Sequence, residues 1–227
     1  ADLAKEHSED PGSALRGGEL GWSDPNNYVP EFKDALAQLE PGEFSEPVRT
    51  VHGWHLIQLI ERETENATQG KASGITIKVN AISEPKIIRA LYKASQAGVP
   101  IQLIVRGICS LRPGVPGISD TISVRSIIGR FLEHSRVYWF HNQGKDEIYG
   151  SSADWMTRNL LSRVETCFPI ESKKLIERVK NEISLYLADN CQSWEMDSKG
   201  DYHLNQPDHD QPRIAVQQTL LEQLALT

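Results

Sequence analysis

The sequence has few features of a secreted or membrane protein. Its three cysteines, Cys109, Cys167 and Cys191, are odd in number, widely spaced and without a CxxC pair, which indicates neither a disulfide framework nor a zinc site. The longest largely apolar runs, such as Val99–Val105, fall well short of the roughly 20 residues of a membrane-spanning helix. Residues 1–10 lack the basic and apolar regions of a signal peptide. We therefore expect no membrane span, no metal site and a cytoplasmic location.

The sequence does contain enough apolar residues for a core, and its charge is unevenly distributed. Of the 227 residues, 39% are apolar, which excludes a disordered chain and allows one large domain or two small ones. Residues 1–62 carry the whole net charge of −7, with 12 Asp and Glu against 5 Lys and Arg. Residues 71–163 carry 13 Lys and Arg against 6 Asp and Glu, an excess that favours a polyanionic partner. These differences indicate two pieces of different origin.

The first piece, residues 1–62, has the pattern of a small domain with helix and sheet. Phe32, Leu36 and Leu39 lie on one helical stripe. From Trp54 to Ile60 the apolar residues are nearly continuous, which is typical of a central β-strand.

This piece also carries five short motifs in a fixed order. They are His7–Ser13 (HSEDPGS), Gly17–Trp22 (GGELGW), Val29–Phe32 (VPEF), Pro41–Glu43 (PGE) and Gly53–Ile57 (GWHLI). In this order they resemble the parvulin peptidyl-prolyl isomerases, which lower the roughly 18–20 kcal/mol barrier to rotation about an X-Pro bond. The resemblance implies binding of proline-containing peptides, with a proline cup at Leu20, Tyr28 and Phe32. It also implies that His55 is one of two facing histidines and that Asp10 lies near the substrate.

The resemblance further predicts that this domain is truncated. In the family, a strand with the partner histidine and most of a long helix come before the point at which this sequence begins. His55 would then lack its partner, and sheet edges would be left unpaired. Isomerase activity would need the missing strand from another copy, so a homo-oligomer is one alternative. Members of this family often work in the periplasm.

Residues 61–70 (ERETENATQG) are polar and contain no large apolar side chain. This composition favours a linker or a solvated helix end, and we place the junction at residues 63–70. Residues 60–63 fit the end of the first piece and the lead-in to the second. A fusion at a short shared sequence, natural or artefactual, therefore stands as an alternative to an evolved two-domain enzyme.

The second piece begins with a strand, helix, strand unit. Ile75–Asn80 and Pro100–Val105 have the pattern of buried strands, and a helix starts at Ser83-Glu84-Pro85 and runs to Gly98. This spacing predicts parallel neighbours with a right-handed crossover, and functional residues at the carboxyl ends of the strands. Arg106 lies at such an end.

The rest of the second piece continues the alternation of strands and helices. Strands are predicted at Thr121–Ile128, Arg136–Phe140, Glu147–Ser151 and Arg163–Phe168, helices at Ser172–Ala188 and Arg213–Leu226, and an irregular polar stretch at residues 189–212. The pattern predicts an α/β fold in which helices pack on a mixed sheet.

Arginines recur near the predicted strand ends, and guanidinium groups suit bidentate phosphate binding. They are Arg106, Arg112, Arg125, Arg130, Arg136, Arg158 and Arg163. For many of them the alternative to phosphate binding is a solvated position on the surface. Arg106 is the strongest candidate for phosphate binding because it directly follows an apolar strand. His134 precedes another strand, where a structural histidine is the alternative.

The second piece also contains a series of longer motifs. They are Ser73–Thr76 (SGIT), Leu91–Ser95 (LYKAS), Val105–Leu111 (VRGICSL), Arg130–Tyr138 (RFLEHSRVY) and Ser151–Asn159 (SSADWMTRN). They resemble the C-terminal half of bacterial polyphosphate kinase. That family transfers a phosphoryl group between ATP and polyphosphate through a phosphohistidine, with magnesium, on two facing phospholipase-D-like domains. By this resemblance the chain would hold most of the second domain.

The resemblance assigns roles to two residues of the second piece. His134 matches an active-site histidine with an acid/base role, and Arg106 matches an arginine that contacts phosphate. An imidazole exchanges protons near neutral pH, and guanidinium groups stabilise charge on a transferring phosphoryl group. Asp154 and Arg158 belong to the family signature, where capping of a strand end is the favoured interpretation.

Other parts of the family's machinery match nothing in this sequence. The histidine that is phosphorylated, the magnesium ligands and the nucleotide-facing domain belong to the preceding part of the family's chain. Mg²⁺ and ATP or ADP are therefore implied only by the family, and we expect low activity from this chain alone. Polyphosphate is the expected partner, and nucleic acid is not. The alternatives are a prolyl isomerase and a non-catalytic polyanion-binding module.

The expected organisation has four parts. They are a truncated parvulin-like domain at residues 1–62, a junction at 63–70, a polyphosphate kinase C-terminal domain at 71–190, and a polar tail with a terminal helix at 191–227. The expected fold is therefore a mixed sheet flanked by helices, the phospholipase-D-like half, preceded by a partial α+β domain.

Overall fold

The computed structural model describes Ala37 and residues 54–225. The chain divides into two compact units, Ala1–Val51 and His52–Thr227, and every helix and strand given below belongs to the second. The predictions for Asp10, Leu20, Tyr28 and Phe32 fall outside the described residues.

The second unit is built on one mixed sheet of eight strands. The strands are β1 (Ile75–Val79), β2 (Ile101–Val105), β3 (Ile122–Ile127), β4 (Val137–Phe140), β5 (Glu147–Ser151), β6 (Cys167–Pro169), β7 (Ser193–Met196) and β8 (Tyr202–Leu204). Their spatial order is β6-β5-β4-β1-β2-β3-β7-β8. Strands β1, β2 and β3 are mutually parallel, and the other neighbouring pairs are antiparallel. The predicted α/β class with a mixed sheet is confirmed.

Five α-helices accompany the sheet in the described part of the chain. They are α1 (Trp54–Thr68), α2 (Pro85–Gln96), α3 (Thr157–Leu161), α4 (Lys173–Ala188) and α5 (Val216–Ala225), and a short 3₁₀ turn covers Asn142–Gly144. Within the described residues, no helix is both long and apolar enough to cross a membrane.

The predicted β1-α2-β2 unit is confirmed, and its local signals are visible in the structure. The Glu84 carboxylate caps α2 by accepting a hydrogen bond of 2.7 Å from the Ile87 N–H, and Pro85 occupies the first turn. After the helix, Gly98 adopts a φ of +90°, a conformation that favours glycine. These signals fix both ends of the crossover helix.

The strand predicted at Trp54–Ile60 is wrong, because this segment is the first half of α1. Leu56, Leu59, Ile60 and Glu63 are all buried, and their spacing of i, i+3, i+4 and i+7 defines one face of a helix. The helical stripe had been hidden because its fourth member is a carboxylate rather than an apolar residue.

Of the two alternatives for the polar stretch at residues 61–70, a linker and a helix end, the structure has the helix end, since α1 continues to Thr68. The stretch is not fully solvated. Glu63 is fully buried and Asn66 is only 4% exposed. The backbone of His55 lies in the same helix, rather than in the strand that the isomerase resemblance required.

Two further corrections concern the sheet edges. The strand predicted at Arg163–Phe168 is shorter and later, at Cys167–Pro169. The stretch at residues 189–212, predicted to be irregular, contains β7 and β8, which extend the sheet beyond β3. Both strands are short and only partly apolar, so their pattern was too weak to detect.

The core lies on both faces of the sheet. On one face, Ile77 and Leu103 pack in a large cluster with Leu91 of α2 and Ile60 of α1. On the other face, a smaller cluster joins Ile104 and Ile127 to Ile183 of α4 and Val216 of α5. The sheet is therefore covered on both sides, as parallel strands require, and its polar loops lie at the strand ends.

Candidate functional site

Several polar residues meet where the parallel strands end, a region we call the carboxyl edge. Asn80 follows β1 and Arg106 follows β2, so both reach this edge. Strand β4 runs antiparallel to β1, and Arg136 precedes it at the same edge. Asp154 follows β5, which is antiparallel to β4, and arrives there as well. The strand directions alone bring together residues up to 74 positions apart.

Asp154 is the centre of a hydrogen-bond network at the carboxyl edge. It accepts bonds from the Asn80 backbone N–H at 2.7 Å and from the Asn80 side-chain amide at 3.3 Å. The Arg136 guanidinium donates two further bonds, from Nε and Nη2, at 3.0 Å each. Burial raises the pKa of Asp154, but the bonds from Arg136 and Asn80 outweigh it and hold the pKa below its ordinary value. Asp154 thus anchors strand ends, as the capping interpretation expected.

Arg106 joins this network through Asn80. Its Nε donates a hydrogen bond of 3.2 Å to Asn80 Oδ1, and the residue is half-buried. Unlike Arg136, it forms no ion pair with a carboxylate among the residues that the structure describes. One side of its guanidinium is therefore fixed by a neutral amide, and no carboxylate in the described part of the chain contacts its positive charge.

His134 lies in the loop of residues 128–136 between β3 and β4, and the residue is exposed. Its neighbours in sequence are anchored, because Lys78 Nζ lies 2.8 Å from Glu133 Oε2 and donates to Ser135 Oγ at 2.8 Å. Arg136 Nη1 donates to the His134 carbonyl at 3.4 Å. The histidine therefore stands at an accessible point of a loop that is fixed on both sides.

Lys78 and Glu133 form a buried ion pair beneath this loop. Their side chains are only 3% and 10% exposed, and the Lys78 ammonium lies 4.8 Å from the centre of the Tyr186 ring. Burial lowers the pKa of Lys78, and the pair with Glu133 opposes this only in part. Burial raises the pKa of Glu133, but hydrogen bonds from Lys78 and Gln217 outweigh it, and the net pKa lies below its ordinary value.

The charges of the carboxyl edge do not cancel. Lys78, Arg106 and Arg136 are cationic, and the positive charges of the two arginines both lower the pKa of Lys78, so the three cations act on one another. Glu133 and Asp154 are the two carboxylates bonded to them. Within this bonded set of five groups one positive charge is in excess, although the Glu165 carboxylate also acts on Arg136. Arg106, the cation of the set that pairs with no described carboxylate, is suited to an anion.

The other arginines singled out in the sequence have different surroundings. Arg125 pairs with Glu195 at 2.7 Å, and Arg130 lies 5.4 Å from the centre of the Phe131 ring. The remaining three, Arg112, Arg158 and Arg163, are exposed. Of the seven, Arg106 and Arg136 are those bonded into the Asp154 network.

Sequence reasoning missed Lys78 and Asn80 as members of this site. A signal for Lys78 was present, because a lysine interrupts the otherwise apolar end of β1 (ITIKV). Its side chain lies on the opposite face from Ile77 and Val79, since successive strand residues alternate. Asn80 carries no comparable signal, because its role depends on contacts with Arg106 and Asp154.

A second group of cations lines a groove between α1 and α2. The groove has a volume of about 380 Å³, and its lining includes Lys86, Arg89 and Lys93 together with Glu61 and Glu65. Acidic and basic groups are thus mixed there.

A magnesium ion does not fit the carboxyl edge. Glu133 and Asp154 are both hydrogen-bonded to cationic side chains, whereas Mg²⁺ is held by carboxylates that are free to coordinate it. Within the described residues, no group of three His, Cys, Asp or Glu side chains is arranged to hold a metal ion.

Fold and site together define an α/β domain with a cationic edge, and comparison with known proteins identifies its family. Residues 50–217 match the family model described as polyphosphate kinase C-terminal domain 2, and the chain belongs to this family. The polyphosphate kinase of Pseudomonas aeruginosa is 57% identical over 171 residues, covering 75% of this chain and 25% of that protein. The Xylella fastidiosa polyphosphate kinase is 53% identical over 176 residues, 77% of this chain and 25% of that protein.

A solved structure agrees with these relatives. The crystal structure of polyphosphate kinase from Porphyromonas gingivalis matches with a TM-score of 0.74 and 37% identity, covering 86% of this chain and 30% of that one. The chain thus spans about a quarter of the length of the curated relatives it matches.

A second family model matches the beginning of the chain. Residues 1–61 match the model described as the PPIC-type PPIASE domain, which confirms the recognition of a rotamase-type segment. The two family models overlap at residues 50–61. In the structure, residues 54–61 of this overlap are helical, and Leu56, Leu59 and Ile60 belong to the core of the second unit.

Proposed function

We propose that the unit formed by residues 54–225 binds polyphosphate at its carboxyl edge and takes part in phosphoryl transfer between ATP and polyphosphate. Arg106 would contact phosphate oxygens, and His134 would exchange a proton with the oxygen that gains or loses the phosphoryl group. The proposal combines the family membership with the cation Arg106, which pairs with no carboxylate among the described residues.

The main support for the proposal is how the Arg106 guanidinium is bonded. A half-buried guanidinium held by Asn80, with no ion-paired carboxylate among the described residues, retains donors for a ligand. Guanidinium groups bind phosphate oxygens through two parallel N–H bonds. The bond to Asn80 fixes Nε, so the group is oriented before the ligand arrives and loses little conformational entropy on binding.

His134 suits the proton-transfer role because it combines exposure with a fixed backbone. Efficient acid/base groups must lie within hydrogen-bond reach of the reacting oxygen, and the anchors at Glu133, Ser135 and Arg136 hold the loop on both sides of the histidine. The phosphohistidine and magnesium implied by the family are assigned to none of the described residues. We therefore expect this chain to bind polyphosphate but to transfer phosphoryl groups poorly without a second half-site.

Titration of the chain with long-chain polyphosphate tests the proposal. Arg106→Ala should weaken binding by about tenfold to a hundredfold, because a charged hydrogen bond is worth roughly 1.5–3 kcal/mol. Arg178→Ala is the matched control, since the Arg178 side chain is 59% exposed and, among the described residues, pairs only with Glu182 on its own helix. Both variants lose one positive charge, so an equal loss in the two would mean loose charge attraction and would refute a site at Arg106. Repeating the titration at high salt removes that attraction.

The rotamase-type segment supports a second candidate, a prolyl isomerase that acts on proline-containing peptides. The family match to residues 1–61 favours it, whereas the helical backbone at His55 does not provide the strand on which its site was predicted. An isomerisation assay of the chain with His55→Ala tests this candidate. A catalysed rate that the substitution abolishes would support it, and a rate that persists would exclude His55 as a site residue.

A further inference from the structure

The loop that carries His134 depends on side chains for its position. Ile128 N–H donates to the Gln192 carbonyl at 3.0 Å, but residues 129–135 form no backbone-to-backbone hydrogen bond with other described residues. A segment without such bonds has no intrinsic reason to keep one conformation. What holds it must therefore come from neighbouring elements.

Gln217 of α5 supplies a large part of that support. Its side-chain Oε1 accepts the Phe131 N–H at 2.8 Å, and its Nε2 donates to the Phe131 carbonyl at 2.8 Å. The amide thus pairs with both backbone groups of one residue, as a neighbouring strand would. Nε2 also lies 2.7 Å from Glu133 Oε1 and donates to it, so Gln217 contacts the residue directly before His134.

Gln217 is itself fixed at the start of α5. The residue is only 6% exposed, and the preceding N–H, that of Val216, donates to Asp189 Oδ2 at 2.7 Å. The other oxygen of Asp189 accepts the backbone N–H groups of residues 191–193 at 2.7–3.0 Å. This buried carboxylate ties the first turn of α5 to the turn before β7, which gives the Gln217 side chain a rigid base.

Gly129 provides the space that the Gln217 side chain occupies. A Cβ atom at residue 129 would lie 2.4 Å from Gln217 Oε1 and 2.7 Å from Gln192 Nε2. Both atoms are the ends of side chains, so an alanine at this position would displace both amides and take that of Gln217 from its hydrogen bonds. The missing side chain at Gly129 therefore allows the Gln217 amide to reach the loop.

From these contacts we propose that Gln217 is a positioning residue for His134, acting through Phe131 and Glu133. Gln217 holds the loop on the amino-terminal side of the histidine, and Arg136 holds it on the carboxyl-terminal side through Asp154. The inference rests on the proposed role of His134 and adds the C-terminal helix to the site.

The experiment compares three variants of the 227-residue chain. Gln217→Ala removes the amide, and Gly129→Ala displaces it without changing α5. Gln218→Ala is the matched control, because Gln218 is exposed and its side chain bonds Glu222 on the same helix. The readout is the NMR signal of the His134 ring Cε1–H group, identified by its loss in His134→Gln, with the signals of His141 and His203 as internal references for the fold.

The proposal predicts that both Gln217→Ala and Gly129→Ala shift or broaden the His134 signal, while the reference signals and Gln218→Ala remain like the wild type. It is overturned if the His134 signal is unchanged in a folded Gln217→Ala or Gly129→Ala chain, even where thermal stability falls, since that result would mean a purely structural role. Addition of long-chain polyphosphate separates the two proposals. If the His134 signal of the wild type does not change when polyphosphate is added, the proposed function is refuted. The comparison of the variants without ligand would still decide the role of Gln217.

Discussion

The two ends of the parallel strands use buried carboxylates in different ways. At the end where β1 begins, which we call the amino edge, Glu63 is fully buried and accepts backbone N–H bonds from Gly74 at 3.0 Å and Asn142 at 2.8 Å. Among the described residues its nearest cation, Arg62, lies 3.7 Å away, beyond hydrogen-bond distance. At the carboxyl edge, Glu133 and Asp154 accept hydrogen bonds from the cations Lys78 and Arg136. The first arrangement fixes backbone, and the second also concentrates positive charge.

The cations of the two edges also differ in whether they are paired with a carboxylate. At the amino edge, Arg62 forms two hydrogen bonds with Glu147, at 3.1 and 3.0 Å, and Lys180 lies 2.8 Å from Asp146. At the carboxyl edge, Arg106 is bonded to a neutral amide. Partly buried ion pairs are thus common to both ends. A cation that pairs with no carboxylate among the described residues distinguishes the candidate site from a structural contact.

Removing Asp154 should have the largest effect on stability. Asp154→Ala leaves Arg136 without its partner and the Asn80 amides without their acceptor, and loss of one member of a buried pair costs about 3–5 kcal/mol. Urea unfolding measures this cost. Asp210→Ala, at an exposed aspartate, is the matched control and should change the free energy of unfolding by less than about 0.5 kcal/mol. Similar values for the two variants would contradict the central place of Asp154.

Glu63→Gln should have the next largest effect, and it should act on stability alone. The amide keeps one acceptor oxygen but faces the second backbone N–H with a donor, which leaves that N–H unsatisfied at a cost of about 1–3 kcal/mol. Glu65→Gln on the exposed face of the same helix is the control. Polyphosphate affinity should equal that of the wild type, and a loss of affinity in Glu63→Gln would break the distinction between the two edges.

The dependence of stability on pH should identify the carboxyl edge as acid-sensitive. The folded-state pKa values of Asp154 and Glu133 lie below their ordinary values. Their contribution to the free energy of unfolding is therefore complete at a pH above the ordinary pKa. It is lost as the pH falls from about 4 through the lowered folded values. Unfolding measured between neutral and acid pH should therefore show a shallower loss in Asp154→Asn than in the wild type. An identical profile for both would contradict the pairing of Asp154 with Arg136.

The smallest effect is expected at the surface pair Arg178–Glu182. The Arg178 side chain is 59% exposed and its Nε lies 2.9 Å from Glu182 Oε1. Such i,i+4 pairs contribute about 0.3–0.5 kcal/mol. Arg178→Ala should hence leave the unfolding curve nearly unchanged. A loss of more than about 1 kcal/mol in the free energy of unfolding would contradict the expectation that an exposed ion pair contributes little to stability.

Much of the fold could be predicted from the sequence, because β1, α2 and β2 have local signals that agree with their tertiary roles. Helix α1 could not, since its apolar stripe ends in Glu63, whose burial depends on N–H groups at residues 74 and 142. Strands β7 and β8 were missed because strands of three or four residues carry little periodicity.

The candidate site could be predicted only in part. Arg106 and His134 lie in motifs of contiguous residues, which a sequence displays directly. Lys78 and Gln217 act through partners 57 and 86 residues away in the chain, and no local pattern records such distances. Sequence reasoning therefore found candidate residues for ligand contact but not the residues that hold them in place.

The most direct test of the account is to locate bound polyphosphate on the chain. Backbone amide NMR signals should be recorded during a titration with long-chain polyphosphate at high salt, where loose charge attraction is screened. If polyphosphate binds at the carboxyl edge, the signals of Asn80, Arg106 and residues 130–136 shift, while those of Gly74 and Asn142 at the amino edge do not. Shifts confined to the amino edge, or to the groove lined by Lys86, Arg89 and Lys93, would contradict the account.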